Sequence, residues 1–332
     1  MLMKSEIYEV FFRDGSYALD FGFTARHVEI VGAAMERAGF PYVEIGHGYG
    51  LGAARAGYPA AAQTDEEYLA AASAVFRKTA FGAFYIPGIG AIDDIRMALG
   101  YGIRFISIGQ NITAIKEAET AVRFAGRQGL HTTVCMMKAH LPDDAAFGEI
   151  VKRIQAWEPD CICIMDSAGC LTPDMVRRKV EQIRAAGGAA GFHGHNNLQL
   201  ATANALAASD AGAVRLDASL GGLGRSAGNA HTEILSALFE RLGRPLSPAL
   251  AQAEMALGAV AGAGIALPLA VPLTDILLGL HGLHSSIAPA LDEEAARHGV
   301  AKAKLYEAVA RKNPVNPTRA EIASAAAALR HR

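Results

Sequence analysis

Residues 189–197 read AAGFHGHNN, and LQLATANALAASDAG (198–212) follows them. The first stretch is short and apolar up to Phe192, with strand character. The second carries helical periodicity and closes on Gly212, a residue suited to a helix C-terminus. Inside the first stretch, His193 and His195 stand two positions apart. In a strand, residues i and i+2 share a face, so both imidazoles point the same way. What that face looks onto depends on how often the strand-then-helix unit recurs.

It recurs along most of the chain. EIYEVFFRD (6–14), YVEIGHG (42–48), FGAFYIPG (81–88) and FISIGQN (105–111) read as strands, each followed by an amphipathic stretch. HTTVCMM (131–137), CICIMDSAG (161–169), AAGFHGHNN (189–197) and VRLDASLGG (214–222) continue the pattern. Thr172-Pro173 reads as an N-cap followed by a first-turn proline. Eight such units in about 240 residues predict a (β/α)8 TIM barrel, whose parallel strands are covered on both sides and therefore apolar. An open doubly wound sheet would need a GxGxxG-type phosphate loop after its first strand, and RDGSY (13–17) stands there instead. The predicted division is a barrel over 1–246 and an Ala-rich helical region over 247–332 that packs on it.

Composition sets outer limits. The chain has 332 residues, 51% hydrophobic and 19% charged, with a net charge of −2. That is enough apolar material for a large core, with no basic excess for a nucleic-acid partner. Cys135, Cys161, Cys163 and Cys170 form no zinc-type CxxC pair and read as core residues of a reducing compartment. Lys4 and Glu6 interrupt the N-terminus too early for a secretory signal. The apolar run 256–273 is rich in Gly and Ala and contains two prolines, so a buried helix followed by a loop is expected rather than a membrane span. A cytoplasmic protein follows from these readings.

In such barrels chemistry sits at the C-terminal strand ends. Collected there are Arg13 and Asp14, Glu44 and His47, Gln110 and Asn111, Asp166 and Ser167, His193, His195, Asn196 and Asn197, and the loop 221–229. Two imidazoles and one carboxylate make a divalent-metal set. Asp14 is the natural third ligand, because in a closed ring strand one neighbours strand eight and lies near strand seven. Ligand types alone leave Mn2+, Mg2+, Zn2+ and Co2+ open.

VFFRDGSYALDFGFT, VEIGHGYGLG, FYIPGIG, MDSAG, GFHGHNNLQLATANALAASDAGA and LDASLGGLGRSAGNAHTEIL together resemble the RDG-signature metal-dependent barrel lyases, the 4-hydroxy-2-oxovalerate aldolase family in particular. HGLHSSIAPALDEEAARHGV (281–300) resembles that family's C-terminal region. The resemblance implies a pyruvate-type 2-oxo acid, an aldehyde or acyl acceptor, and Mn2+ or Mg2+ held by Asp14, His193, His195 and Asn229. It implies that Arg13 stabilises the enolate oxygen. It also implies an aldehyde dehydrogenase partner, and a homo-oligomer is expected. His47, Ser167, Arg225 and His284 are expected in the substrate pocket.

Several positions depart from the family pattern. Tyr17 stands where the family has its acid/base histidine. His281 and His284 stand where it has tyrosines, Tyr49 lies within its HGDG motif, and Arg225 replaces a small residue in its Gly-rich loop. Tyr17 is therefore expected as a proton donor or orienting group and His281 as the titrating acid/base. Altered acceptor specificity follows. Two rivals stand beside this reading: a Claisen-type acyltransferase of the isopropylmalate synthase kind, and a catalytically degenerate metal-binding subunit. The first lacks its expected glutamate, because Arg225 occupies that place. The second has no use for a retained Arg13, Asp14, His193 and His195.

Overall fold

In a computed structural model that describes residues 5–267 and 273–330, β1 (Glu6–Glu9), β2 (Tyr42–Ile45), β3 (Ala80–Tyr85) and β4 (Phe105–Asn111) are followed by β5 (His131–Met137), β6 (Cys161–Asp166), β7 (Ala190–Gly194) and β8 (Arg215–Ala218). They pair in sequence order, all parallel, and β8 closes on β1, so the barrel has no free edge. The expected TIM barrel is what the chain forms. Helices α1 (Ala25–Ala38), α2 (Asp65–Val75), α3 (Ile92–Gly100) and α4 (Glu119–Arg127) lie on the outside with α5 (Asp144–Gln155), α6 (Pro173–Ala185), α7 (Ala201–Asp210) and α8 (Thr232–Arg241).

Local sequence accounts for the helix starts. At α2 the Thr64 hydroxyl accepts from the Glu67 N–H while the Glu67 carboxylate accepts from the Thr64 N–H, a reciprocal cap. At α1 Gly39 closes the helix at φ 75°, a left-handed conformation that a Cβ disfavours. Pro173 occupies the first turn of α6 as expected, but the Thr172 hydroxyl makes no capping bond; only its extended backbone starts the helix.

Alternation along the strands fills the barrel in layers. At the bottom, Tyr8 stacks on Tyr42 at 4.0 Å and meets Phe105 edge-on. Above them the Arg215 guanidinium lies over Tyr8 at 4.2 Å and donates to Asp217, Ser107 and Thr133. Cys135, Cys163 and Met165 pack with Phe84 as small core groups, and all four cysteines are free thiols.

The C-terminal part contributes to two cores. Helix α9 (Leu250–Gly262) packs on α1 and α8, and its Ala253, Ala256 and Val260 belong to the barrel's own core. The run 256–273 leaves the helix after Gly262, as expected, and residues 268–272 lie outside the described residues. A second core forms from α10 (Leu273–His281), α11 (Ala288–His298), α12 (Lys302–Lys312) and α13 (Arg319–Arg330), around Leu278, Leu291, Leu305 and Tyr306. Apolar contact with the barrel core therefore runs on through α9 to Leu267. No helix among the described residues is long and apolar enough to cross a membrane.

Candidate metal-centred active site

β7 delivers His193, and His195 follows one residue past its end; both are buried. Because β8 closes against β1, the chain after β1 brings Asp14 to the same point. Ligand atoms of Asp14, His193 and His195 all lie within 4.8 Å of one another. The expected adjacency across the closed ring is what joins them.

Hydrogen bonds fix how these groups present themselves. The Asp217 carboxylate lies 3.2 Å from Nδ1 of His193 and can only accept, so Nδ1 carries the proton and Nε2 keeps its lone pair. That Nε2 is buried with no partner. Nδ1 of His195 donates to the Gly228 carbonyl at 3.3 Å, which leaves its Nε2 as the lone-pair atom. Asn229 donates through Nδ2 to Asp14 Oδ2 (2.9 Å) and to the Leu223 carbonyl (3.2 Å), so its Oδ1 is left buried and unpartnered. The orphaned His193 Nε2, grouped with Asp14 and His195, fits a cation, since a buried acceptor left without a partner otherwise costs about 1–3 kcal/mol.

Electrostatics agree with that role. Burial alone would raise the Asp14 carboxyl, but Arg13, His195 and His193 outweigh it and hold the carboxyl well below the ordinary carboxylate range. Burial pushes the His195 imidazole down to about 4, which keeps it neutral at pH 7, the form that binds metal.

Arg13 sits beneath this centre with only 3% of its surface exposed. Its Nε donates to Glu44 and its Nη1 to Asp14, each at 2.6 Å, and the guanidinium lies over Phe84 at 4.6 Å. Nη2 has no partner. Glu44, at the end of β2, thus orients Arg13 rather than facing substrate.

A cavity of about 520 Å³ opens at this end of the barrel. Arg13, Asp14, Tyr17, Ser167, His195, Arg225 and His284 line it, all expected there, together with Tyr49, Gln110 and Asn111. Arg225 does not turn to solvent. Its Nε donates to Ser285 Oγ at 2.6 Å and its guanidinium lies over the ring of Tyr17 at 4.6 Å. The Tyr17 phenol is pushed up by burial and stays protonated. In His284, Nδ1 accepts from the Ser286 N–H, so the neutral ring carries its proton on Nε2. Ser167 Oγ accepts from the Lys138 N–H.

Two expectations are corrected. His281 does not reach the cavity: it is the last residue of α10, and the charged groups that act on it are Glu307 and Arg311 of α12. The chain turns after α10, so His284, not His281, enters the mouth. His47 is also withdrawn from the substrate pocket. It lies behind the wall, stacked on Phe21 at 4.3 Å, with Nε2 donating to the Pro59 carbonyl and Nδ1 accepting from the Tyr49 N–H. Both nitrogens are committed to shaping the loop that carries Tyr49.

Other residues escaped the sequence reading. Asp217 and Arg215 form the layer under His193, and their i, i+2 spacing in β8 was the available signal. Lys138, one residue past β5, and Glu117 also line the cavity. A second group, His140, Asp166 and Cys170, has metal-type atoms close together. Both Asp166 oxygens, however, accept backbone N–H groups of Cys170 and Leu171, so this carboxylate fastens its own loop.

Fold and site define a parallel eight-stranded barrel with a histidine–carboxylate centre at its C-terminal mouth. The HMGL-like family model matches residues 4–260. The chain is 35% identical over 293 residues to 4-hydroxy-2-oxovalerate aldolase 2 of Nocardia farcinica, covering 87% of this chain and 84% of that one. It is 38% identical over 232 residues to 4-hydroxy-2-oxovalerate aldolase of Moorella thermoacetica, covering 70% and 69%. It therefore belongs to the HMGL-like family and, within it, to the 4-hydroxy-2-oxovalerate aldolase family. Among solved structures, the carboxyl transferase domain of pyruvate carboxylase from Rhizobium etli superposes with a TM-score of 0.74 at 17% identity, over 98% of this chain and 60% of that one. At that identity the likeness concerns the fold.

Proposed function

We propose that this chain is a divalent-metal-dependent aldolase, a carbon–carbon lyase that makes or cleaves a bond next to the carbonyl of a pyruvate-type 2-oxo acid. Asp14, His193 and His195 hold the cation, with Asn229 beside them on the Asp14 carboxylate. The observation that carries this reading is that ligand atoms of Asp14, His193 and His195 lie within 4.8 Å of one another, with His193 Nε2 buried and unpartnered. The mixed nitrogen and oxygen set favours Mn2+ or Mg2+, with Zn2+ or Co2+ able to substitute. When bound, the cation supplies Lewis-acid stabilisation of charge on a substrate oxygen.

The chain's own residues do the rest. Arg13 is locked by Glu44 and Asp14 and leaves Nη2 as a preorganised donor for the negative charge that grows on the ketone oxygen. Tyr17, protonated and facing the cavity, delivers or orients the proton at the acceptor oxygen. Ser167 and His284 bind the substrate. The acceptor differs from that of the named relatives, since Tyr17, His284 and Arg225 reshape the end of the pocket where it enters. The protein acts in the cytoplasm as a homo-oligomer, with an aldehyde dehydrogenase as partner.

Metal content after dialysis, measured on the wild type, Asp14→Asn and His193→Ala, tests the ligand set. Both variants are expected to lose the ion, and wild-type content in both would sink the assignment. Metal-dependent exchange of pyruvate methyl protons in deuterated water tests the chemistry. No exchange with Mn2+ or Mg2+ present rejects the 2-oxo acid reading.

A further inference from the structure

We propose that Lys138 and Arg225 form a cationic clamp for a carboxylate or phosphate group on the acceptor, so that the aldehyde this enzyme handles is itself an anion. The inference rests on the aldolase reading and adds the substrate class.

Both side chains line the same cavity, from opposite parts of the chain. Lys138 comes from the loop after β5 and is 7% exposed. Its backbone is held at φ 59°, a left-handed conformation that a lysine adopts only where its surroundings impose it. Its N–H is tied to Ser167 Oγ and its Nζ donates to the Val315 carbonyl at 2.9 Å, so the ammonium is anchored to the C-terminal helical region over the mouth. Arg225 comes from the loop after β8. Its backbone N–H donates to Asp14 Oδ2 at 3.1 Å, its Nε to Ser285 Oγ, and its plane covers Tyr17 and Tyr49.

Neither cation has a counter-charge among the described residues. Among the described residues, Lys138 and Arg225 make no ion pair; their polar partners are neutral oxygens, and the carboxylate Arg225 reaches is bonded only through its backbone. The other acidic group of the cavity wall, Glu117, accepts from Gln110 Nε2 at 2.7 Å and pairs with neither. The third ionisable neighbour, His284, is held neutral by burial and by these two cations. Burial lowers the Lys138 ammonium and Arg225 lowers it further, so the two positive groups repel within a shared space. A buried cation without a partner is costly, and two facing one cavity are relieved by an anion. An arginine fork beside a lysine point charge is the donor set that holds a carboxylate or phosphate. The 2-oxo acid is assigned to the metal centre and Arg13, which leaves this pair for the acceptor.

The test compares wild type with Lys138→Met, Arg225→Met and the double variant, each loaded with Mn2+ and saturated with pyruvate. The acceptors are succinic semialdehyde, glyceraldehyde 3-phosphate and propionaldehyde. The wild type is expected to favour one of the two anionic aldehydes over propionaldehyde, and which one separates carboxylate from phosphate. In the double variant the ratio of kcat/KM for that aldehyde to kcat/KM for propionaldehyde should fall at least 30-fold, mainly through KM. An unchanged ratio or a wild-type preference for propionaldehyde overturns the clamp. Calorimetric binding of succinate and of inorganic phosphate separates this failure from failure of the aldolase reading, because it needs no turnover. At least one of the two should bind the wild type and weaken at least tenfold in the double variant. Equal binding to both proteins rejects the clamp, even if the enzyme proves to be an aldolase; loss of proton exchange with binding intact rejects only the aldolase chemistry.

Discussion

Asp217 accepts the Nδ1 proton of His193 at 3.2 Å while Arg215 grips both oxygens of the same carboxylate, at 2.6 and 3.1 Å. The pair fixes the tautomer: the proton sits on the side facing the barrel's interior, and the lone pair faces Asp14. Arg215 also keeps the Asp217 carboxyl low against the opposing effect of burial, so it remains an acceptor.

Removing this support without touching a ligand should weaken metal binding. Asp217→Asn can present an N–H to Nδ1 and invert the tautomer. Loss of such a supporting partner typically costs 10–100-fold in metal affinity. Competition with a chelator gives the Mn2+ dissociation constant, and an unchanged constant would falsify the orienting role.

Arg13→Lys should keep the metal and lose turnover. A lysine places one charge where the guanidinium makes two 2.6 Å bonds and still offers Nη2. The expected fall in kcat is on the order of 10²–10³, the usual cost of one preorganised donor to an oxyanion. Near-normal kcat with normal Mn2+ content speaks against the assignment.

Tyr17→Phe and His281→Phe should behave differently. Tyr17 lines the cavity, whereas His281 is turned toward α12. Tyr17→Phe should lower kcat by about 10²-fold or more, within the range for a lost general acid. His281→Phe should leave kcat within a factor of about two. The reverse pattern returns the acid/base role to His281.

Gly224 has a steric reason to be glycine. A Cβ there would lie 2.3 Å from Asn229 Nδ2 and 2.8 Å from Asp14 Oδ2. Gly224→Ala should therefore displace both groups and weaken Mn2+ binding by more than tenfold. The control is Gly258→Ala on α9, where nothing lies within 4 Å of the added atom. Equal Mn2+ affinity in the two variants contradicts the crowding argument.

The metal-free protein should lose stability as pH falls from about 6.5 to about 4. Burial holds His140 and His195 neutral down to about 4, against about 6.5 in the unfolded chain. Over that window the unfolded state binds more protons, so stability rises with pH. Each histidine contributes roughly 1–3 kcal/mol across it. Asp166 and Glu9, pushed up by burial to about 6 and about 8, oppose part of the effect. Urea midpoints at pH 7 and pH 5 read the slope, and His140→Asn should flatten it. A variant with the same slope as the wild type removes His140 from the account.

The sequence by itself determined the architecture and the convergence of Asp14, His193 and His195 as candidate metal ligands. Strand-to-helix alternation repeats eight times with parallel-sheet apolarity, and this leaves little besides a closed barrel. Once the ring closes, Asp14 must stand near His193 and His195, because strand order is ring order. What only the tertiary structure decided is how groups without a shared periodicity meet. His281 ends α10 outside the cavity while His284, three residues on, lines it, an outcome of tertiary packing that no local pattern encodes. His47 sits at a strand end like the others, but its direction depends on a loop stacked against Phe21. Lys138 and Arg225 are 87 residues apart in the chain and become one cavity wall through barrel closure and the anchoring of Lys138 to Val315. Periodic burial is a local property written every two or four residues, whereas the facing of two loop side chains is set by the packing of everything between them.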